Sequence, residues 1–325
     1  MVTGAAGFLG THLVEELLKR GDSVVAVLRP GGSSIRSDWT RKVDLREWDL
    51  RESHPPKGLF DGVSVVYHLA ARYLPGKSSE TLAELRNWNV SSTQNVLHAC
   101  LEAGIRRFVH LSSIAVCEFS EREIVDEEGG EPATPYGWSK WEAEKLLRAV
   151  PHEKLSWTIL RPTAVYGEYG RGTMTEITRA LQKKRFVIFG GGGNAVNFSY
   201  AGNVVAAMMH SEMVSATHGR TYILSDPQIS LRELVAALRE VLNLRGETIQ
   251  LPFWTGYALG ALFDGFSALT GKRMPLSVAR VRAATAHRIY SGKKFRDETG
   301  FEPPFRLQEA LGRTIRGYRE QGTIV

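Results

Sequence analysis

The stretch that decides the fold is MVTGAAGFLG, residues 1–10, in which Gly4, Gly7 and Gly10 stand three residues apart. An amphipathic helical pattern, THLVEELLKR (11–20), follows the third glycine directly. In this spacing the first glycine permits a tight turn, the second lets a pyrophosphate approach the backbone, and the third lets the helix pack on a sheet. The amide groups that begin the helix then face the phosphates. The motif predicts a dinucleotide site.

The strand that should precede this turn is short. Only Met1 and Val2 stand in front of Thr3, whereas a strand usually has about 5–6 residues. Two alternatives follow: the central strand is short here, or the native chain begins upstream of Met1. The sequence does not choose between them.

Apolar runs of strand length alternate with helical patterns further along the chain. The runs are continuous, as in parallel strands that are buried on both faces. They are SVVAVL (23–28), VSVVYHLA (63–70), RRFVHLSS (106–113), SWTILRP (156–162) and TYILSD (221–226). Between them lie helical patterns at 91–104 and 139–150. This order predicts an α/β fold with a doubly wound parallel sheet of the Rossmann type.

The alternation of strands and helices breaks at about residue 167. We therefore expect a dinucleotide-binding Rossmann domain over 1–166 and a smaller, mainly substrate-binding C-terminal part over 167–325. Because TYILSD has strand character, about 200–228 is expected to return to the main sheet.

Composition narrows the class of protein. Of 325 residues, 43% are hydrophobic and 23% charged, which is typical of a soluble globular protein. The net charge of +6 is scattered along the chain, and this argues against a nucleic-acid partner. The cysteines Cys100 and Cys117 have no metal-like spacing, so we expect no metal site and a reducing compartment. With no signal-peptide pattern at its start, the chain is expected to be cytoplasmic.

Two side chains suited to proton transfer stand in PYGWSKWEAEK. Tyr136 and Lys140 are four residues apart and project from one helical face. A tyrosine with a pKa of ~10 is a poor base at neutral pH, but a neighbouring ammonium lowers its pKa. Ser113 ends the strand RRFVHLSS, where its hydroxyl can hold a substrate oxygen beside the tyrosine. We predict that these residues are catalytic.

Several motifs together resemble the extended short-chain dehydrogenase/reductase family, and within it the 3β-hydroxysteroid dehydrogenase-like branch. The motifs are TGAAGFLG (3–10), DL (49–50), YHLAA (67–71), NV (89–90), LSSIAV (111–116), the Tyr136/Lys140 pair, LRPTAVYG (160–167) and a C-terminal pattern over 298–320.

The resemblance implies a role for individual residues. Ser113, Tyr136 and Lys140 would be catalytic, Asp49 would meet the adenine, Asn89 would support the active-site helix, and Pro162 would abut the nicotinamide. The residues implied in cofactor binding, besides Arg29, are Gly4, Gly7, Phe8, Leu9, Asp49, Leu50, Leu69, Ala70, Ala71, Tyr136, Lys140 and Pro162.

The end of the second strand bears on the choice of cofactor. It reads VLRPGG, with no carboxylate to accept the ribose 2′-hydroxyl, and Arg29 stands there instead. Its guanidinium fork suits a 2′-phosphate, and the nearby Arg36 could share the role. We therefore predict NADP as the cofactor, with NAD as the alternative.

Three functions fit these residues. The first is an NAD(P)-dependent oxidoreductase that interconverts a secondary alcohol and a ketone on a hydrophobic, sterol-like small molecule. The second is a nucleotide-sugar epimerase or dehydratase. The third, a cofactor-sensing module without catalysis, ranks last because such modules usually lack the tyrosine or the lysine.

One segment favours the first function over the second. Nucleotide-sugar relatives typically offer an arginine to the substrate diphosphate after the second glycine turn, where this chain has Val196 and Asn197. The following FSYAGNVV instead resembles the 3β-hydroxysteroid dehydrogenase branch. Arg171, Arg179 or Lys183 could replace the missing anchor, so the second function stays open.

The apolar stretch 251–270 approaches the length of a membrane span, but it carries Asp264 and several glycines, so no span is expected. A buried helix packed on the core is the first interpretation, and a roof over an apolar pocket or a peripheral membrane contact are the others. By analogy with the family we expect a homodimer. His68, His98 and His110 are interpreted as structural rather than as metal ligands.

Overall fold

The computed structural model describes residues 1–32, 39, 41–73, 81–117, 124, 131–271, 277–286 and 289–324. The strands within these ranges are β1 (Val2–Thr3), β2 (Val25–Leu28), β3 (Asp44–Glu47), β4 (Val65–His68), β5 (Arg107–Leu111), β6 (Ser156–Pro162), β7 (Ala164–Tyr166), β8 (Val187–Phe189), β9 (Ala195–Val196), β10 (Phe198–Tyr200), β11 (Arg220–Leu224), β12 (Ile229–Ser230) and β13 (Ile249–Leu251).

The α-helices of the same ranges are α1 (Phe8–Arg20), α2 (Leu82–Leu85), α3 (Ser91–Glu102), α4 (Pro135–Arg148), α5 (Thr173–Gln182), α6 (Ala201–Met213), α7 (Leu231–Val241), α8 (Phe253–Thr270), α9 (Val278–Thr285), α10 (Lys293–Thr299) and α11 (Leu307–Glu320). A π-helical turn, Arg86–Val90, joins α2 to α3.

A seven-stranded parallel sheet has the order β11-β6-β5-β4-β1-β2-β3. The strand order reverses between β1 and β4, which is the switch point where ligands bind in doubly wound sheets. The predicted α/β class and doubly wound parallel sheet are confirmed. The predicted return of TYILSD is also found, because β11 pairs with β6 at the sheet edge.

Helices cover both faces of this sheet because both faces of its central strands are apolar. On one face, Leu13 and Val14 of α1 pack with Val204 and Met208 of α6. On the other, Val96 and Leu97 of α3 and Leu147 of α4 lie in a second buried cluster. A third cluster gathers side chains from α5, α7 and α11. The boundary between 166 and 167 stays a prediction.

Strand β1 has two residues and pairs with both β2 and β4. Met1 extends this pairing, since its carbonyl oxygen accepts the Tyr67 amide at 2.9 Å and its amino group donates to the Val65 carbonyl oxygen at 2.8 Å. Burial lowers the pKa of this amino group to about 6. A short central strand is therefore enough to place the glycine turn at the carboxyl edge of the sheet.

The stretch 251–270 forms β13's last residue and helix α8, but the prediction of a helix buried on the core is wrong for most of it. Only Gly256 and Gly260 of α8 are buried. Gly260 lies so close to Val278 that an added Cβ would come within 2.8 Å of the Val278 amide nitrogen, so α8 rests on α9 through its glycines. Across the described residues, no helix has the length and hydropathy needed to cross a membrane.

Candidate active site

The turn between β1 and α1 has the geometry that a dinucleotide site needs. Gly4 has a left-handed backbone with φ of 71°, and its carbonyl oxygen accepts the Gly7 amide at 2.9 Å. A Cβ at Gly10 would overlap the Gly4 carbonyl oxygen, so only glycine lets α1 approach the turn. Gly7 is the N-cap of α1 and has no side chain to bind the first-turn amides, which leaves them for an anion.

A cleft of about 800 Å³ opens at this turn and runs along the carboxyl ends of β1, β2, β3 and β4. Of the residues predicted to bind cofactor, those that line it are Gly4, Gly7, Arg29, Asp49, Leu50, Leu69, Ala70 and Ala71. Phe8, Leu9, Tyr136, Lys140 and Pro162 do not line it. Pro162 ends β6, two strands away from β4, and Phe8 begins α1. The glycine turn and the volume of the cleft fit a nicotinamide dinucleotide.

Three arginines surround Trp88 at the wall of this cleft. The guanidinium carbons of Arg29, Arg51 and Arg72 lie 5.4, 4.1 and 5.1 Å from the centre of its ring. Arg29, Arg72 and Trp88 all line the cleft. Arg36, the other residue considered for this role, lies outside the described residues. Arg51, Arg72 and Trp88 were missed in the sequence because they lie after β3, after β4 and in the π-helical turn, and so share no periodic pattern.

Asp49, which the resemblance places at the adenine, is held in an ion pair. Arg51 Nη2 lies 2.5 Å from Asp49 Oδ2, and the Arg51 amide also donates to the same carboxylate at 3.1 Å. These hydrogen bonds lower the pKa of Asp49. The carboxylate therefore stays charged and fixed at the cleft.

The start of α4 places Tyr136 beside Ser113. Thr134 caps the helix by accepting the Gly137 amide at 3.0 Å. A Cβ at Gly137 would overlap the Ala115 carbonyl oxygen, so the glycine after the tyrosine lets α4 lie against the turn after β5. In that turn Ser113 Oγ accepts the Ala115 amide at 3.1 Å. The Ser113 hydroxyl also interacts with that of Tyr136.

The lowered pKa predicted for Tyr136 is not found in this structure. Burial raises the pKa of Tyr136, the neighbouring Tyr73 raises it further, and only the interaction with Ser113 lowers it. The Tyr73 ring, 59% exposed, lies 4.6 Å from the Tyr136 ring, centre to centre. The prediction that Lys140 lowers the pKa of Tyr136 is wrong in this arrangement, because the Lys140 ammonium group donates to the Leu111 carbonyl oxygen instead. Tyr73 was not singled out in the sequence.

The Lys140 ammonium group binds the carbonyl oxygen of Leu111 at the end of β5. Lys140 Nζ donates to it at 2.7 Å and lies 3.4 Å from His110 Nε2. Lys140 is 2% exposed, and burial lowers its pKa to about 8, partly offset by Glu144. Glu144 is itself paired with the buried Arg161, 2.6 Å from Nη2 to Oε2. The lysine thus sits between β5 and a buried ion pair.

Asn89 links α4 to the cleft from within the π-helical turn. Its Nδ2 donates to Ser139 Oγ on α4 at 2.9 Å, and its Oδ1 accepts the Arg72 amide at 2.7 Å. The role implied for Asn89, support of the active-site helix, corresponds to these contacts. Arg72 follows the strand segment that lines the cleft, so one side chain joins the two parts of the site.

The residues that favoured a hydrophobic substrate have structural partners. Val196 pairs with Ile229 in a two-stranded ladder and packs against the third cluster. The Asn197 side-chain oxygen accepts the Tyr290 amide at 3.0 Å. Arg179, one of the alternative anchors, donates instead to the Thr323 carbonyl oxygen at 2.9 Å. Asn203 of the FSYAGNVV motif bridges Asp226 and Phe305.

His68, His98 and His110 each contact other side chains of the protein. His68 is fully buried between Thr3 and Thr93, at 2.8 and 3.0 Å, and burial lowers its pKa to about 3. His110 stacks on it at 5.3 Å, while His98 pairs with Glu102 at 3.4 Å on the surface of α3. In the part of the chain that the structure describes, no three metal-binding side chains cluster.

Comparisons with known proteins place these features in a family. The profile of the NAD dependent epimerase/dehydratase family matches residues 1–224. An N-acetyl-alpha-D-glucosaminyl-diphospho-ditrans,octacis-undecaprenol 4-epimerase of Escherichia coli O157:H7 is 29% identical, over 97% of this chain and 94% of the relative. A 3beta-hydroxysteroid-dehydrogenase/decarboxylase isoform 1 of Arabidopsis thaliana is 29% identical, over 98% and 79%.

Among solved structures, MoeE5 in complex with UDP-glucuronic acid and NAD superimposes with a TM-score of 0.71 at 27% identity, over 98% of both chains. The relatives therefore include a protein named for a lipid-linked sugar, one named for a hydroxysteroid and one solved with a nucleotide sugar bound. The printed names of the two curated relatives differ both in the reaction, epimerisation or dehydrogenation with decarboxylation, and in the molecule that is acted on.

Proposed function

This chain belongs to the NAD dependent epimerase/dehydratase family, and we propose that it is an NADP-preferring oxidoreductase that interconverts a secondary alcohol and a ketone on a hydrophobic small molecule. The choice of substrate class depends on Val196 and Asn197, which contact Ile229 and Tyr290 and offer no charged group to a ligand. Both side chains are used inside the C-terminal part, at the position where nucleotide-sugar relatives offer an arginine to a diphosphate.

In the proposed reaction Tyr136 moves the proton of the substrate hydroxyl. The Ser113 hydroxyl, which interacts with Tyr136, holds the substrate oxygen beside it. A nicotinamide dinucleotide held by the glycine turn would supply the hydride acceptor or donor. To lower the pKa of Tyr136, the Lys140 ammonium group must move from the Leu111 carbonyl oxygen toward the tyrosine hydroxyl. The long lysine side chain permits that movement.

The preference for NADP is supported by the charge around Trp88. Arg29 lines the cleft where the second strand ends, and Arg51 lies across the same indole ring. Two guanidinium groups beside this ring favour a 2′-phosphate over a 2′-hydroxyl. Of the two carboxylates that line the cleft, Asp49 is already paired with Arg51, and Glu47 is the other. NAD, which the family name specifies, is the alternative.

The second candidate is an epimerase or dehydratase that acts on a sugar carried by a diphosphate. It is favoured by the full-length similarity to an enzyme named for N-acetylglucosaminyl-diphospho-undecaprenol. A polyprenyl chain is itself hydrophobic, so such a substrate would share the apolar recognition proposed here. A soluble nucleotide sugar has no apolar chain and would not share this recognition. Arg179 does not supply an anchor for its diphosphate, because the guanidinium group is already hydrogen-bonded to the Thr323 carbonyl oxygen.

A thermal-shift competition tests the substrate class. The full chain, saturated with NADPH, is heated with a 3β-hydroxysterol, with a short-chain polyprenyl-diphospho-N-acetylglucosamine, or with UDP-glucose. We expect the sterol or the polyprenyl compound, at micromolar concentration, to raise the melting temperature and UDP-glucose to leave it unchanged. Protection by UDP-glucose alone would overturn the proposed substrate class.

Cofactor turnover then separates the two candidate reactions. Net oxidation or reduction of the dinucleotide supports the oxidoreductase, whereas product formation with no net change in the dinucleotide supports the epimerase. The homodimer and the cytoplasmic location stay predictions.

A further inference from the structure

Helix α4 contacts the end of β5 through three of its side chains. Tyr136, Lys140 and Glu144 stand four residues apart, so they project from one face of the helix on successive turns. Each of them contacts a different residue of the segment 111–113. The contacts of Tyr136 and Lys140 belong to the proposed active site. The contact of Glu144 has no part in the proposed reaction so far.

This third contact joins Glu144 to Ser112. Ser112 Oγ donates to Glu144 Oε1 at 2.5 Å, and both residues are buried, the glutamate completely and the serine to within 4%. The Ser112 amide donates to the Leu160 carbonyl oxygen of β6 at 2.7 Å. The serine is therefore held twice, with its backbone bound by β6 and its hydroxyl bound by α4.

Arg161 of β6 fixes the carboxylate that accepts the Ser112 hydroxyl. Its Nε donates to Glu144 Oε1 at 2.9 Å and its Nη2 donates to Oε2 at 2.6 Å, and the guanidinium group is fully buried. A bidentate arginine sets both the position and the plane of a carboxylate. A buried ion pair contributes little net stability, because the lost hydration of two charges offsets their attraction. What this pair provides is an acceptor held in one orientation.

We propose that Ser112, through its bond to Glu144, positions the catalytic hydroxyl of Ser113. Because Ser113 is the next residue, the bond fixes the point at which it leaves β5. Glu144 and Tyr136 belong to one helix, so the helix that carries the tyrosine also carries the acceptor that fixes the serine. Ser112 is a positioning residue, since it does not line the cofactor cleft. The inference rests on the proposed function, because it concerns the proton transfer assigned to Tyr136.

A double-mutant cycle on turnover tests this coupling. Ser112→Ala leaves Glu144 both of its bonds from Arg161, so we expect the variant to fold. Turnover is measured with NADP and the compound of the thermal-shift panel that binds, the 3β-hydroxysterol being expected. The kcat of Ser112→Ala should fall about tenfold, because small displacements of a catalytic group are costly. The dissociation constant for NADPH should change little. In the Ser113→Ala background the same substitution should have almost no further effect on kcat, since the positioned hydroxyl is already gone.

Ser211→Ala is the matched control. It removes a fully buried serine hydroxyl that donates to the Met208 carbonyl oxygen within α6. Its kcat should equal that of the wild type, so loss of a buried hydroxyl is not sufficient to slow the reaction.

Two outcomes would overturn the proposal. The first is a wild-type kcat in Ser112→Ala. The second is an equal loss from Ser112→Ala in the wild-type and Ser113→Ala backgrounds, which would show a structural role that does not act through Ser113. Slow turnover by Ser113→Ala and Tyr136→Phe, combined with normal turnover by Ser112→Ala, would reject the coupling alone. Normal turnover by Ser113→Ala and Tyr136→Phe would reject the proposed reaction itself, and the coupling with it.

Discussion

The Nζ atom of Lys140, a residue of α4, lies 2.7 Å from the carbonyl oxygen of Leu111 at the end of β5. The lysine is 2% exposed, and burial lowers its pKa from 10.5 to about 8. Between these two pH values the unfolded chain keeps the proton that the folded chain has lost. The free energy of unfolding therefore rises as the pH increases from about 8 to 10.5. Below pH 8 the folded chain carries the full cost of burying the charged ammonium group.

Replacing the lysine should remove this pH dependence. We expect the stability of Lys140→Met relative to wild type to fall by up to about 3 kcal/mol between pH 7.5 and 10.5, since each pKa unit is worth about 1.4 kcal/mol. Urea unfolding at the two pH values measures the difference. Lys145→Met, exposed on the same helix, is the control and should keep the wild-type profile. A constant difference between Lys140→Met and wild type would contradict the assignment.

The contact between Gly137 and Ala115 predicts a stability effect at the site. Gly137→Ala should destabilise the protein by roughly 2 kcal/mol or more, because the new Cβ overlaps the Ala115 carbonyl oxygen and α4 must move. Gly312→Ala on α11 has open space at its Cβ and should be neutral or stabilising by about 0.5–1 kcal/mol. Denaturant unfolding compares the two, and equal effects would show that α4 does not pack as described.

The arginines around Trp88 predict how cofactor preference changes. Arg29→Ala and Arg51→Ala should each raise the dissociation constant of NADPH at least tenfold, because each removes a charged partner for a 2′-phosphate. The affinity for NADH should change little in Arg29→Ala. Arg319→Ala, exposed on α11, serves as the control. Tighter binding of NADH than of NADPH by the wild type would refute the preference.

Residues close together in sequence were the ones that could be predicted. The glycine turn of residues 4–10 and the four-residue spacing of Tyr136 and Lys140 carry their geometry within one turn of chain, and the apolar runs identify the central strands. The edge strand β3 was missed because it reads DLRE and is largely exposed, so it has neither an apolar run nor a clean alternation.

Other features depend on contacts between distant segments. Arg29, Arg51 and Arg72 meet at Trp88 only because β2, β3 and β4 end at the same edge of the sheet. The direction of Lys140 depends on the Leu111 carbonyl, which no local pattern shows. The exposure of α8 was also unpredictable, because its apolar composition is equally typical of a buried helix and the outcome depends on what packs beside it.

The proton transfer assigned to Tyr136 is the central claim. The variant Tyr136→Phe keeps the ring that packs against Tyr73 and removes only the hydroxyl that interacts with Ser113. A positioned proton-transfer group contributes about 10²–10⁴-fold to the rate. Glu142→Gln, on the exterior of the same helix and paired with Arg86, is the control and should keep near-normal turnover.

The most direct measurement is the turnover of Tyr136→Phe with the best substrate of the competition panel, together with its dissociation constant for NADPH. We predict that turnover falls at least ~100-fold while the dissociation constant for NADPH changes little. Near-normal turnover with unchanged cofactor binding would contradict the catalytic role of Tyr136 and the reaction built on it.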